Sequence, residues 1–487
     1  MAHDILLYTI GNREVYIDGA VPNRGRFRSQ CRQMLEAVQA HREQLQRVAV
    51  PRLRACLDYI SMQGVEELRA IYLVVTEGNP DARFVESDTR EAGELAKLWL
   101  TETVRPALPR FLGKTGVRLI LLSGVEPNEY GRVYHRLGES FARLPDAQEI
   151  ARAWLFPQPG TPAMSASVIL HALARWRDRV RMLVVPEGFE SAEESPFPRA
   201  FLGDMRREVL LARLEAYDLA GALALAPEEG PLREVLASAL ARSRFDFPAA
   251  HRHLDRALAA MIHSAASVNR AVRDLRDALA SLPSRPDPAQ SRGHLAELVW
   301  NARLCWRAGR YVDFLGRMYR LEEGLLRHWL ERLGFATDDS PERRQESRRR
   351  FWERVDALGL AEQVSREYGV ERGGALNRPA FAAVLSAVLE AGMAGELEAE
   401  LRELLPAVRG PVREIAELRN RSILGHGFER VDPDEIRSKV RQSLDTLGAD
   451  ADPVEALLEQ LLRVLAPGGR DPYEATVTLA RSLLQEP

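Results

Sequence analysis

The hydrophobic period changes once along this chain, close to Pro186, and that change restricts the folds open to it. Before it, short apolar runs alternate with amphipathic stretches. Asp4–Ile10, Ala70–Thr76, Val117–Ser123, Arg152–Gln158 and Val180–Pro186 are rich in leucine and β-branched residues and end at Gly, Pro or polar positions, as buried strands do. Between them Phe27–Val50, Arg90–Val104, Tyr130–Leu144 and Ala163–Trp176 have helical spacing. Strand–helix alternation predicts a mainly parallel, doubly wound α/β sheet. Gly188–Pro198 is acidic, contains proline and reads as a linker or an elaborated loop. From Arg206 onward nearly every segment has helix period, including Ala249–Leu282, Gly293–Leu333, Arg378–Leu404 and Val412–Leu424. The expected organisation is a Rossmann-like α/β domain over residues 1–190, a linker and connecting helices over 191–240, and an all-α domain over 241–487.

Composition excludes several classes. With 487 residues, 46% hydrophobic and 28% charged, the chain has the make-up of an ordinary globular protein. No apolar run approaches the ~20 residues that cross a bilayer, and Met1–Asp4 lacks the basic start of a signal peptide. Cys31, Cys56 and Cys305 are scattered, without the spacing of a disulfide framework or zinc site, which fits a reducing cytoplasm. A net charge of −3 gives no global attraction to nucleic acid, so any RNA site must be a local basic pocket.

Ligands of doubly wound sheets bind at the carboxyl ends of the strands. The candidate strands here run into Gly11-Asn12-Arg13, into Thr76-Glu77-Gly78-Asn79, into Ser123-Gly124, and into Gln158-Pro159-Gly160-Thr161-Pro162-Ala163-Met164. In the last cluster Gly160 allows close backbone approach, Thr161 suits an N-cap and Pro162 the first helical position. The amides of that helix start favour an anion. No GxGxxG follows the first strand, which argues against a dinucleotide cofactor. Gly113-Lys114-Thr115 resembles the end of a phosphate loop, but Leu108 stands where the upstream glycine belongs and a strand follows instead of preceding.

In the second half, Arg419-Asn420 and His426 form the one set of side chains equipped for phosphodiester chemistry. Seven steps of about 100° bring Arg419 and His426 to nearly the same face of a helix running through Leu424. Arg421 is five steps from His426, about 140° around the axis. Cleaving RNA without a metal requires deprotonating the 2′-hydroxyl, protonating the leaving 5′-oxygen and stabilising the added negative charge. Histidine titrates near neutrality, arginine grips phosphate with two donors, and Asn420 can orient either group. The products are a 2′,3′-cyclic phosphate and a 5′-hydroxyl. Trp300, Trp306, Tyr311, Phe314, Tyr319 and Trp329 make an aromatic-rich helical stretch that reads as packing.

The two halves together resemble the CARF–HEPN ribonucleases of type III CRISPR systems, which cyclic oligoadenylates switch on. Arg419-Asn420 followed by His426 is similar to the family's R-x(4–6)-H signature. Thr9-Ile10-Gly11-Asn12 and Gly160-Thr161-Pro162-Ala163-Met164 look like its nucleotide-sensing loops, although Pro159 stands where a first glycine is common. The resemblance implies a cytoplasmic, antiviral, metal-independent endoribonuclease cutting single-stranded RNA. It implies a homodimer with a composite catalytic site of Arg419, Asn420 and His426, no metal and no cofactor. A cyclic oligoadenylate, expected to be the tetra-adenylate, is the allosteric activator. Thr9, Gly11, Asn12, Arg13, Thr76, Glu77, Ser123, Gly124, Gln158, Gly160, Thr161 and Met164 are the expected activator contacts. Thr9, Asn12 or Thr161 could further assist slow cleavage of the activator. The alternative is a non-catalytic ligand-sensing regulator whose helical domain binds nucleic acid or a protein partner.

Overall fold

The computed structural model describes residues 2–78, 85–186, 191–261, 265–280, 282–283, 290–338, 340–371, 376–425, 427–443 and 451–485. The chain divides into two compact units, Met1–Arg206 and Arg207–Pro487. The segment 191–240, distinguished in the sequence as linker and connecting helices, contains a short strand and helical segments.

The first unit holds strands β1 His3–Thr9, β2 Tyr16–Ile17, β3 Val48–Ala49, β4 Leu68–Glu77, β5 Gly116–Ser123, β6 Ile150–Phe156, β7 Val180–Val184 and β8 Glu193–Ser195. Its helices are α1 Phe27–Ala40, α2 Pro51–Met62, α3 Arg90–Trp99, α4 Arg105–Ala107, α5 Pro109–Leu112, α6 Tyr130–Phe141 and α7 Pro162–Trp176. Six strands form one sheet in the order β5-β4-β1-β6-β7-β8, parallel throughout except for β8 against β7. β2 and β3 make a separate antiparallel pair.

Central parallel strands are covered on both faces, so they read as continuous apolar runs. In β1, Leu6 and Tyr8 pack with α1, α2 and α3 on one face, while Ile5 and Leu7 pack with α6 and α7 on the other. The doubly wound α/β sheet predicted from the period is therefore present. The chain leaves β1 toward β4 on one side and returns to β6 on the other. The carboxyl ends of β1 and β6 thus flank the topological switch point.

Local departures have physical causes. Phe27–Val50 is not one helix: α1 stops at Ala40, a 3-10 segment spans Arg42–Arg47, and Val48–Ala49 pairs as β3. Pro51 then opens α2, which the sequence reading missed, because proline suits a first helical turn. The acidic linker contributes β8, held to β7 by backbone pairing without an apolar face. Residues 187–190 of that linker lie outside the described residues. Thr115 of the false phosphate loop is buried and donates its hydroxyl to the Leu68 carbonyl.

The second unit is helical. α8 Phe197–Glu215 crosses the division between units and leads to α9 Leu219–Leu225, α10 Pro231–Ser243, α11 Phe247–Ala260 and α12 Ala266–Ala280. Then come α13 Arg292–Arg307, α14 Tyr311–Arg332, α15 Arg344–Ala357, α16 Ala361–Tyr368 and α17 Arg378–Glu390. The series ends with α18 Glu398–Ala407, α19 Arg413–Arg421, α20 Pro433–Ser443, α21 Pro453–Leu465 and α22 Pro472–Gln485. The predicted Gly293–Leu333 helix breaks at Gly309, whose positive φ of 66° suits glycine. Trp306, Phe314 and Trp329 lie in the main core with α13, α14, α17 and α21, and Trp300 and Tyr311 pack against it. Tyr319 is half-buried and stands apart from that core.

Candidate functional site

In the first unit a cleft of about 530 Å³ opens at the carboxyl ends of β1, β4 and β6. Its floor is two loops in backbone contact. A methyl added at Gly11 would fall on the Pro159 carbonyl, and one at Gly160 would meet Thr9 Cγ2 at 2.8 Å and Met164 Cβ at 3.2 Å. Glycine at both positions is what lets these loops close together. Thr161 caps α7 as expected: its Oγ1 accepts from the Met164 amide at 3.3 Å and donates to the Pro127 carbonyl, with Pro162 in the first turn. The loop after β6 is thereby tied to the loop after β5.

The opposite wall joins the end of β4 to the start of α3. The Thr76 amide donates to Thr89 Oγ1 at 3.0 Å, and the Thr89 amide donates to Thr76 Oγ1 at 3.1 Å. Asp88, 5% exposed, accepts from the Gly78 amide at 2.9 Å and pairs with Arg28 at 3.3 Å. Burial pushes the Asp88 carboxyl up, while the Gly78 amide and then Arg28 pull the other way.

Of the expected activator contacts, Gly11, Asn12, Thr76, Gly124, Gly160, Thr161 and Met164 line the cleft. The other five do not. Thr9 is 1% exposed, and its Oγ1 has no hydrogen-bond partner among the described residues. Arg13 is exposed on the turn after β1. Glu77 pairs with Arg90 and accepts from Ser123 Oγ at 2.9 Å, which commits both Glu77 and Ser123. Gln158 accepts from the Val185 amide at 3.1 Å, at the end of β7. Asn79 of the second strand-end cluster lies outside the described residues.

The cations of the cleft escaped the sequence reading. Arg24 belongs to a 3-10 turn opened by Asn23, whose side chain accepts from the Gly25 amide at 2.9 Å. Arg132 lies in α6 and pairs with Glu129 at 3.3 Å. Neither follows a strand directly, and attention to strand ends passes over both. Beneath the floor, Tyr8 donates to the buried carboxylate of Glu14, which also pairs with Arg52 at 3.0 Å. Burial raises the Glu14 carboxyl; the Tyr8 hydrogen bond and Arg52 oppose the shift.

In the second unit, α19 follows a kink at Gly410 and ends at Arg421. The expected helix through Leu424 is not formed. Ser422 is extended, with φ −88° and ψ 174°, and its Oγ donates to the Arg419 carbonyl at 2.8 Å. The Gly425 amide then reaches the Ser422 carbonyl at 2.9 Å. Helical periodicity therefore does not relate Arg419 to position 426. His426 lies outside the described residues. The glycines beside it fold back onto the helix end: a methyl on Gly425 would sit 2.5 Å from Asn420 Cα and 2.7 Å from the Arg419 carbonyl oxygen, and one on Gly427 would fall on the Arg421 carbonyl.

Arg421 is engaged by Glu429 at 3.1 Å and Glu435 at 2.5 Å. Arg419 makes no ion pair among the described residues, and its guanidinium lies 4.5 Å from the centroid of the Tyr319 ring. Asn420 is exposed beside it. Three exposed apolar side chains flank this turn: Ile423 at 71%, Leu424 at 39% and Phe428 at 95%. Among the described residues the site thus presents a guanidinium without an ion-pair partner at a helix end, a carboxamide and an apolar rim. Among the described residues, no group of three or more His, Cys, Asp or Glu side chains could hold a metal ion.

No family model matches the chain, and no curated protein matches it. Among solved structures, Enterococcus italicus Csm6 bound to cyclic hexa-2′-fluoro-hexa-dAMP matches with a TM-score of 0.54 at 14% identity. The alignment covers 99% of this chain and 100% of that one. At this identity the likeness is one of fold, and it runs through both units.

Proposed function

We propose that the chain is an endoribonuclease of type III CRISPR defence, gated by a cyclic oligoadenylate and working as a homodimer. The observation that carries this reading is the end-to-end likeness of fold to a Csm6 solved with a cyclic oligonucleotide bound. The site geometry supports it from both ends of the chain. A cleft at the switch point carries Arg24 and Arg132 on its walls, suited to an anionic ligand, and the loops that form its floor are those that resemble the family's sensing loops.

Two subunits related by a two-fold axis would bring two such clefts to one ring of even nucleotide number. The apolar rim of Ile423, Leu424 and Phe428 suits burial against the same segment of a second copy, which would join two Arg419/His426 sets. At that centre Arg419 would stabilise the charge developing on phosphorus while His426 moves protons. The 2′-oxygen forms its bond to phosphorus as the bond to the 5′-oxygen breaks. The proposal of metal independence rests on this pair supplying both charge stabilisation and proton transfer. The ring promotes cleavage only insofar as it binds the competent arrangement of the dimer more tightly.

The test is cleavage of single-stranded RNA in EDTA against cyclic oligoadenylates of different sizes, with the tetra-adenylate as the expected activator. His426→Ala should abolish cleavage while dimerisation and activator binding persist. A variant cutting at the parental rate would remove His426 from the mechanism. Activator binding without RNA cleavage by the parent would favour the regulator instead.

A further inference from the structure

α14 carries Gly316, Tyr319 and Glu322 at three-residue spacing, a single stripe along one side of the helix. α14 packs against both α19 and α17. At Gly316 a methyl would stand 3.5 Å from Leu424 Cδ1, an ordinary contact with the turn that follows α19. At Tyr319 the ring receives two guanidiniums, Arg419 from α19 at 4.5 Å and Arg378 from α17 at 4.3 Å from its centroid. At Glu322, 4% exposed, the carboxylate accepts from Arg378.

Two guanidiniums on one ring repel each other, although the ring face attracts each. Glu322 resolves half of this conflict. A buried carboxylate needs a charged partner, and Arg378 is that partner. Arg378 is thereby fixed by charge and by the ring together. Arg419 is held by the ring alone among the described residues, and its charge is left for an anion. A free arginine side chain samples many rotamers; stacking on a half-buried ring narrows them before any substrate arrives.

We infer that Tyr319 is a positioning residue of the ribonuclease centre. Its ring, clamped from α17 by the Glu322–Arg378 pair, sets the Arg419 guanidinium where the scissile phosphate must lie. The inference rests on the catalytic reading of Arg419 given above. It assigns the work to the aromatic face of Tyr319 and none to its hydroxyl.

The experiment uses full-length protein and single-stranded RNA in EDTA, saturated with whichever cyclic oligoadenylate best activates the parent. Arg419→Ala should lose at least about 100-fold in kcat. Tyr319→Leu should lower kcat about tenfold with KM within about twofold, and Tyr319→Phe, which keeps the ring, should restore the rate to within about twofold. Tyr319→Met fills similar space without an aromatic face and should behave as leucine does, which guards against misfolding of a single variant. Parental kcat in both Tyr319→Leu and Tyr319→Met beside an inactive Arg419→Ala would overturn the inference alone. Equal losses in Tyr319→Phe and Tyr319→Leu would also overturn it, by placing the role in the hydroxyl. A fully active Arg419→Ala would overturn the inference together with the reading beneath it.

Discussion

Adding one methyl at Gly425 tests whether the turn after α19 sets the catalytic geometry. Its Cβ would sit 2.5 Å from Asn420 Cα and 2.7 Å from the Arg419 and Asn420 carbonyl oxygens, all backbone atoms of the helix end. Ordinary contacts begin near 3.4 Å, so the turn must move by about 1 Å. No flexible side chain can absorb that movement. Overpacking of this kind costs about 1–3 kcal/mol in a well-packed core, and an end-of-helix turn open to solvent lies at the lower end. Melting should therefore fall by only a few degrees, at roughly 2–4 °C per kcal/mol for a domain of this size class. A displacement of about 1 Å at a reacting group can nevertheless cost about 100-fold in rate. Gly425→Ala is expected to fold, bind activator and lose about two orders of magnitude in kcat for RNA cleavage. Gly131→Ala serves as the control, since a methyl there meets nothing within 4 Å. If Gly425→Ala cleaves within twofold of the parent, the turn does not set the geometry and the reasoning fails.

Two further outcomes follow from the first unit. Arg24→Ala and Arg132→Ala should each shift the activation curve to about tenfold higher activator concentration, the size expected for losing one charge-assisted hydrogen bond, with the activator-saturated cleavage rate unchanged; superimposable curves would remove both from the sensor. The Glu14 carboxyl is held above its ordinary value of 4.5 by burial, so the folded state binds its proton more tightly than the unfolded chain does. Its contribution to stability is best at low pH and declines as pH rises from about 4.5 through the raised folded value. Urea unfolding of Glu14→Gln and the parent across that range should show the difference moving in favour of the variant as pH rises, and a flat difference would contradict the direction of the shift.

The sheet was legible because burial on both faces makes the middles of β1, β4 and β6 largely apolar, as in Ile5–Leu7, Ala70–Val75 and Ala153–Phe156, and such runs stand out in any sequence. β8 was hidden for the opposite reason: Glu193-Glu194-Ser195 has no apolar signature, and it is defined by backbone pairing with β7 and the Arg181–Glu194 ion pair at 3.6 Å. α19 was read as too long because Ile423 continued the apolar period, yet Ile423 is 71% exposed and the helix has ended two residues earlier. Ser422 and the two glycines after it carried the termination signal. In the cleft, the loop residues were legible from strand ends, whereas Arg24 and Arg132 arrive through tertiary placement of a 3-10 turn and a helix. Tyr319 was grouped with core aromatics, since its spacing on α14 is that of its neighbours; only the arginines packed on its ring from α17 and α19 distinguish it.

The contact between the Gly11 and Gly160 loops divides the cleft into parts with different freedom to diverge. Bulk added at either glycine collides with the opposing strand exit, so neither residue can be exchanged without remaking both connections at once. The surrounding Arg24, Asn128 and Arg132 face no such restriction. Redesign for a differently sized or differently charged ring should accordingly begin with those peripheral side chains and leave the glycine seam intact.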